Sequence, residues 1–160
     1  MPKIKRAYSD AQKQEREQMI IDAAQYLLME KSFHSINMSE VARHANLAKG
    51  TVYLYFQTKE ELFLTLFERH FGDWLDRIEM ELKALHKSVD QQVVIQILIK
   101  NTIKNRQLIR LAALSNIIFE HNISYDKARE YKVWLYERVA YLGEILEQVL
   151  DLQPTQGTVV

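Results

Sequence analysis

Apolar side chains recur at three- and four-residue steps along most of the chain, and the strict alternation that is typical of strands is absent. The two prolines stand at positions 2 and 154, so no proline interrupts a helix between them. The first predicted helix runs from Ser9 or Asp10 to about Glu30 and carries an apolar stripe of Ile20, Ala23, Ala24, Leu27 and Leu28. The pattern predicts an all-α protein.

Two short helices are predicted next. Asn37 stands three residues before Glu40, which is the spacing of a capping box, and the helix that it opens is expected to end near Ala45. Asn46 follows, and asparagine tolerates the left-handed backbone of a tight turn. A third helix is predicted over about Lys49 to Tyr55. Two short helices joined in this way form a helix-turn-helix, whose second helix enters the major groove of DNA.

The remaining helices begin at further capping signals. Thr58 and Glu61 have the spacing of a second capping box, which opens a fourth helix that reaches about Leu85. The last three helices are predicted from a Ser88 cap to Lys104, from Arg106 to His121, and from a Ser124 cap to Leu150. This count predicts seven helices, followed by irregular chain from Asp151.

The two short helices carry small or apolar residues where they are expected to cross, namely Val41, Ala42, Ala45, Leu47 and Val52. Hydrogen-bond donors and cations surround this set, and these are groups that contact phosphates and base edges: Ser39, Arg43, His44, Lys49, Thr51, Tyr53 and Tyr55. The combination predicts a DNA-reading surface.

The stretch from Arg16 to Phe63 resembles the DNA-binding domain of tetracycline-repressor-type (TetR-family) regulators. The resemblance is carried above all by residues 41–63, VARHANLAKGTVYLYFQTKEELF. It joins a long first helix, the helix pair, a Tyr-x-Tyr-Phe ending and a lysine at the start of the fourth helix, in that order. It implies DNA contacts from Ser39, Lys49, Gly50, Thr51, Tyr53 and Tyr55, and a phosphate contact from Lys59. An arm of Lys3, Lys5 and Arg6 in the minor groove is a further expectation.

The chain departs from the family pattern in two ways. Asn46 stands where the family usually has glycine, which asparagine can replace on the same backbone. The chain is also shorter than usual, so the closing helices through which family members form dimers are expected to be missing, and a truncated or shortened member is predicted. The predicted division is a helix-turn-helix domain over 1–58 and a helical ligand-binding and dimerisation domain over 59–160, possibly incomplete.

Charge supports this division. The chain carries 21 basic and 21 acidic residues and no net charge. Residues 1–59 contain nine Lys or Arg against six Asp or Glu, whereas residues 60–160 contain twelve against fifteen. The opposite signs favour a basic binding module attached to an acidic regulatory module.

Several classes of chemistry lack support. Without cysteine there are no thiolate sites or disulfides, and the five histidines show no metal-ligand spacing. No nucleophile motif or phosphate-binding loop is present. The most apolar run, residues 93–99, is too short to cross a membrane, and no signal segment is visible. We therefore expect a cytoplasmic protein that is not an enzyme and has no metal, no cofactor and no membrane partner.

The aromatic residues of the second domain are expected to be mostly core, but helical domains of this family commonly enclose an effector cavity. Candidate lining residues for a small apolar effector are Phe67, Phe71, Trp74, Asn116, Phe119, His121, Tyr131 and Trp134. The leading interpretation is a ligand-responsive repressor that binds a near-palindromic operator in double-stranded DNA as a homodimer. Two alternatives remain open: a DNA-bound scaffold or activator without ligand control, and a helical protein-interaction module.

Overall fold

The computed structural model describes residues 3–86, 88–114, 118 and 122–152. In these ranges the chain forms α-helices and a 3-10 turn, with no strand. The elements are α1 (Lys3–Glu30), the 3-10 turn (Phe33–Ser35), α2 (Met38–His44), α3 (Lys49–Tyr53), α4 (Lys59–Lys83), α5 (Gln91–Lys104), α6 (Arg106–Ala112) and α7 (Tyr125–Leu150). The predicted all-α class is confirmed.

Three local signals act as predicted. Asn37 and Glu40 form the complete capping box at the start of α2. Asn46 has φ 54°, the left-handed conformation that ends α2. The Ser124 side chain accepts a hydrogen bond from the Lys127 N–H and caps α7. Helices α2 and α7 thus begin where a short side chain accepts a hydrogen bond from a free main-chain amide group.

Three predicted boundaries among the first four helices are wrong. The α1 backbone is already helical at Lys3, so the expected arm of Lys3, Lys5 and Arg6 belongs to a helix; nothing before Ser9 breaks one except Pro2. The third helix ends at Tyr53, two residues earlier than predicted, because the N–H of Tyr55 donates to the Val52 carbonyl in a tighter turn. The fourth helix ends at Lys83.

The later boundaries also differ. Ser88 has φ 59°, which is incompatible with the extended conformation of a helix cap, and Asp90 caps α5 instead by accepting from the Gln92 N–H. The helix predicted to reach His121 ends at Ala112, where a tight hydrogen bond from the Leu114 N–H to the Leu111 carbonyl begins a turn.

Two apolar cores hold the helices together. The larger core contains the buried residues of α1, α2 and α3 together with the first half of α4, Leu108 and Leu111 of α6, and Tyr131 of α7. The smaller core lies at the distal end and consists of Ile78, Leu82, Val94, Ile97, Ile145 and Val149. The three N-terminal helices, hereafter the head, therefore share their core with the bundle formed by α4–α7.

Candidate nucleic-acid interface and effector region

The turn between α2 and α3 is built from main-chain hydrogen bonds. The Ala45 N–H donates to the Val41 carbonyl at 2.9 Å, and the Leu47 N–H reaches back to the Ala42 carbonyl at 2.9 Å. The left-handed backbone of Asn46 lies between these two bonds. The turn thereby fixes where α3 begins relative to α2.

The residues predicted to lie between α2 and α3 are buried. Val41 and Val52 are fully buried, Ala42 and Ala45 are 2% and 3% exposed, and Leu47 packs partly against the same core. Because α2 and α3 share this tightly packed contact, α3 is presented as a rigid element.

The residues predicted to contact DNA lie mostly on the outside of the head. Ser39, Arg43, Lys49, Gly50 and Tyr53 are exposed, whereas Thr51 and Tyr55 are half-buried. The Lys49 ammonium lies 5.8 Å from the centre of the Tyr53 ring, one helical turn away. The structure thus brings the α3 candidates together on one accessible surface, while their contact with DNA stays a prediction.

Gly50 has free space around its backbone. A Cβ atom placed there meets no other atom within 4 Å. Packing inside the chain therefore does not require glycine at this position. This open surface is compatible with the close approach of a DNA backbone that the resemblance implies.

Lys59 contacts protein atoms in this structure. Its ammonium donates hydrogen bonds to the carbonyls of Phe33, at 3.0 Å, and Ile36, at 3.1 Å, and lies 4.1 Å from the centre of the Phe33 ring. Burial lowers the pKa of Lys59, although Glu60 opposes the shift. The lysine ties the start of α4 to the 3-10 turn, and its predicted phosphate contact stays a prediction.

Glu61 has a structural role that sequence reasoning missed. The predicted capping box at Thr58 is half formed: Thr58 accepts from the Glu61 N–H, but the Glu61 carboxylate accepts from the Gln57 N–H. Its other oxygen accepts from the Ser124 N–H at 3.3 Å, which joins the start of α4 to the start of α7. A sequence pattern does not reveal a partner 63 residues away.

Five of the predicted effector-pocket residues form one aromatic cluster: Phe67, Phe71, Trp74, Tyr131 and Trp134. Phe71 stacks on Phe67 and Trp74 with centroid distances of 5.6 Å and 5.4 Å, and its ring also meets Trp134 edge-on at 6.1 Å. Tyr131 joins both Phe67 and Trp134. These rings contact one another directly. Three further predicted residues, Asn116, Phe119 and His121, lie outside the described residues.

An open groove of about 410 Å³ lies between α4 and α7, beside the aromatic cluster. Trp134 forms part of its wall, and four carboxylates and one guanidinium line the rest: Glu68, Asp73, Asp76, Glu130 and Arg69. Burial raises the pKa of Glu68, although the Lys127 ammonium, 3.6 Å away, opposes the shift. Despite these charged groups, most of the lining surface of the groove is apolar.

The described residues offer neither a metal site nor a membrane-spanning helix. No group of three or more His, Asp or Glu side chains is placed to hold a metal ion in that part of the chain. Among its helices, none combines the length and apolar character needed to cross a membrane.

Two family models together match almost all of residues 20–160. The family described as "Tetracyclin repressor-like, C-terminal domain" matches residues 68–160, and the one described as "Bacterial regulatory proteins, tetR family" matches residues 20–66. The chain belongs to the TetR family. The resemblance seen in the sequence is confirmed.

Curated relatives of the TetR-family chain cover parts of it. The "Fatty acid metabolism regulator protein" of Bacillus subtilis (strain 168) is 38% identical over 72 residues, which is 45% of this chain and 37% of the relative. The "HTH-type transcriptional regulator AcrR" of Shigella flexneri is 27% identical over 132 residues, 82% of this chain and 53% of the relative. The chain therefore aligns with about half or less of the length of these relatives.

Solved structures of TetR-family regulators share the fold. The fatty acid degradation regulator FadR from Bacillus halodurans is 28% identical, with a TM-score of 0.54. FadR from Bacillus subtilis, solved in complex with stearoyl-CoA, is 26% identical, with a TM-score of 0.57. Each comparison covers 81% of this chain and 68% of the other.

Proposed function

We propose that this TetR-family regulator binds a near-palindromic operator as a homodimer and represses transcription until an effector binds the bundle. The observation that carries the proposal is the exposed α3 surface of Lys49 and Tyr53 above the buried Val41 and Val52. Two copies of such a head can enter successive major grooves of a duplex.

A long-chain acyl-CoA is the effector class that we propose. The support is the stearoyl-CoA in the similar FadR structure together with the aromatic cluster at the centre of the bundle. An acyl chain that enters this cluster must separate rings that now touch across the two helices, such as Phe67 of α4 and Tyr131 of α7. Separating these rings changes the spacing of α4 and α7. An effector that binds the separated arrangement better than the packed one shifts the population away from DNA binding.

The salt dependence of operator binding tests the DNA part of the proposal. If Lys49 neutralises one phosphate, Lys49→Ala lowers the slope of log affinity against log salt by about 0.9. The matched control is Lys132→Ala, which removes one charge from an exposed position on α7. Equal slopes for the parent and Lys49→Ala would contradict the assigned contact. An affinity for DNA that depends on neither the salt concentration nor the DNA sequence would support the protein-interaction alternative.

Stearoyl-CoA tests the effector part separately. We expect it to raise the Tm of the protein and to weaken operator binding, while coenzyme A without an acyl chain does neither. Operator binding that persists unchanged at saturating stearoyl-CoA would favour the DNA-bound scaffold or activator alternative and would leave the DNA-binding proposal intact.

A further inference from the structure

The chain between α1 and α2 is bound from outside the head by two cationic side chains. Arg110 of α6 donates hydrogen bonds to the carbonyls of Met29, at 3.3 Å, and Lys31, at 3.1 Å. Lys59 of α4 donates to the carbonyls of Phe33 and Ile36. Four main-chain oxygens within eight residues thus accept from the bundle.

Arg110 supplies what the end of α1 lacks. The last carbonyls of a helix have no partner within the helix and form the negative end of its dipole. The last turn of α1 contains no basic residue. The planar guanidinium of Arg110 presents several N–H donors in a fixed geometry, so one side chain reaches both Met29 and Lys31.

The contact sits on a packed support. Leu108 and Leu111, on either side of Arg110 in the sequence, are buried in the larger core, and so are Leu27 and Leu28 of α1. The shared core keeps α6 near the end of α1, but apolar packing is non-directional. The two hydrogen bonds of Arg110 add a direction, because they fix α6 relative to the end of α1.

We propose that Arg110 is a positioning residue, which sets the angle of the head relative to the bundle. The inference rests on the proposed dimeric operator binding, since in a dimer the angle of each head sets the separation of the two copies of α3. Because this contact is rigid, the dimer binds an operator with the matching half-site spacing more tightly than operators with other spacings. Without Arg110, the heads adapt to a wider range of spacings.

Operator spacing provides the test. Affinities are measured for the preferred operator and for one with a single base pair inserted between its half-sites, which shifts and rotates one half-site relative to the other. We expect Arg110→Gln to reduce the ratio of the two affinities by about 2- to 30-fold, the range seen for residues that couple distant sites. Arg110→Lys, which can still donate to one carbonyl, should restore part of the ratio.

Arg106→Gln is the matched control. Arg106 lies on the same helix and is exposed, and its side chain makes no hydrogen bond or ion pair among the residues that the structure describes. Its substitution removes the same charge and should leave the ratio of the parent unchanged. A variant that is merely less stable lowers both affinities equally and also leaves the ratio unchanged. An unaltered ratio in Arg110→Gln would therefore overturn the proposal.

A second measurement does not depend on DNA. The chain has no cysteine, so Ser39→Cys and Glu144→Cys can carry spin labels on the head and on α7 without other reaction sites. Pulsed spin resonance on labelled chains diluted with unlabelled ones reports the head-to-bundle distance. We expect a broader distance distribution with Arg110→Gln than with Arg106→Gln, and equal widths would refute the assigned role. If the parent protein bound both operators equally well, dimeric operator binding would be contradicted. The distances between the spin labels would still test the role of Arg110.

Discussion

The head and the bundle are held together by interactions of different range along the chain. In the head, the capping box of Asn37 and Glu40 and the turn at Asn46 join residues within a few positions of one another. In the bundle, polar contacts join α4 to α7 across about 60 residues, as between Arg138 and both Asp76 and Glu79. Local signals therefore set the helix ends and the turn of the head, whereas the polar contacts of the bundle pair distant helices.

The two regions also differ in their apolar cores. The larger core joins the head to α4, α6 and α7, and the smaller core lies within the bundle alone. A destabilising substitution in the larger core is thus expected to disturb the predicted DNA-reading surface, whereas one in the smaller core should leave that surface unchanged. This contrast can be tested with paired substitutions.

The largest effect is expected from Phe63→Ala. Phe63 is fully buried and meets the Phe33 ring edge-on at 5.1 Å, so its loss should lower the free energy of unfolding by about 3–5 kcal/mol. Leu82→Ala, in the smaller core, should cost about 2–5 kcal/mol but leave the operator affinity of the folded fraction unchanged. Urea unfolding and DNA titration measure both. Equal losses of operator affinity in the two folded variants would remove the distinction between the cores.

Thr51→Ala probes the reading surface itself. If its hydroxyl makes one hydrogen bond to a base edge, the substitution should reduce discrimination against a changed base pair by about 1 kcal/mol, or about fivefold. Thr65→Ala is the control, because the Thr65 hydroxyl bonds to the Glu61 carbonyl of its own helix. Competition binding with single-base operator variants gives the ratio, and an unchanged preference would exclude a base contact from Thr51.

Cap substitutions compare local signals in the two regions. Asn37→Ala and Ser124→Ala each remove a side-chain acceptor at a helix start and should each lower the free energy of unfolding by about 1 kcal/mol. Asn37→Ala should in addition increase amide hydrogen exchange in α2, while Ser124→Ala should do so at the start of α7. Exchange spreading through both regions in either variant would show that the caps do not act locally.

At neutral pH the smallest expected effect is that of Tyr131 ionisation, because this pH dependence of the bundle appears only in alkaline solution. Burial raises the pKa of Tyr131 from 10.0 to about 12, with Glu68 adding to the shift. The corresponding stability is fully present below the unfolded pKa and is lost as the pH rises from 10.0 towards about 12. Tyrosinate absorbance and unfolding curves measure it, and Tyr131→Phe should remove that part of the pH dependence. A tyrosine titrating at its ordinary pKa would contradict the burial argument.

The helices and the turn of the head could be predicted from the sequence because each signal spans only a few residues. The α2 cap, the left-handed turn and the small residues between helices each depend on neighbours within one helical turn. The contacts of Lys59 and Arg110 with main-chain carbonyls, and that of Glu61 with Ser124, join residues that are 23 to 81 positions apart, and no local pattern predicts them.

The bundle illustrates the same limit. Aromatic residues at helical spacing were predicted to line a pocket, but spacing does not distinguish rings that surround a space from rings that fill it. Phe71 and Trp74 stack directly in the structure. Likewise the sequence predicts a cap at Ser88, but Ser88 has a positive φ and the Asp90 side chain caps α5 instead.

The continuity of the larger core limits how this regulator can be recombined with its relatives. A chimera joined at residue 58 would combine α1–α3 from one parent with the Leu62, Phe63 and Leu66 of another, and so split a single packed interior. Exchanging the predicted DNA-reading surface therefore requires either grafting surface residues of α3 alone or moving the chain as a block through Tyr131.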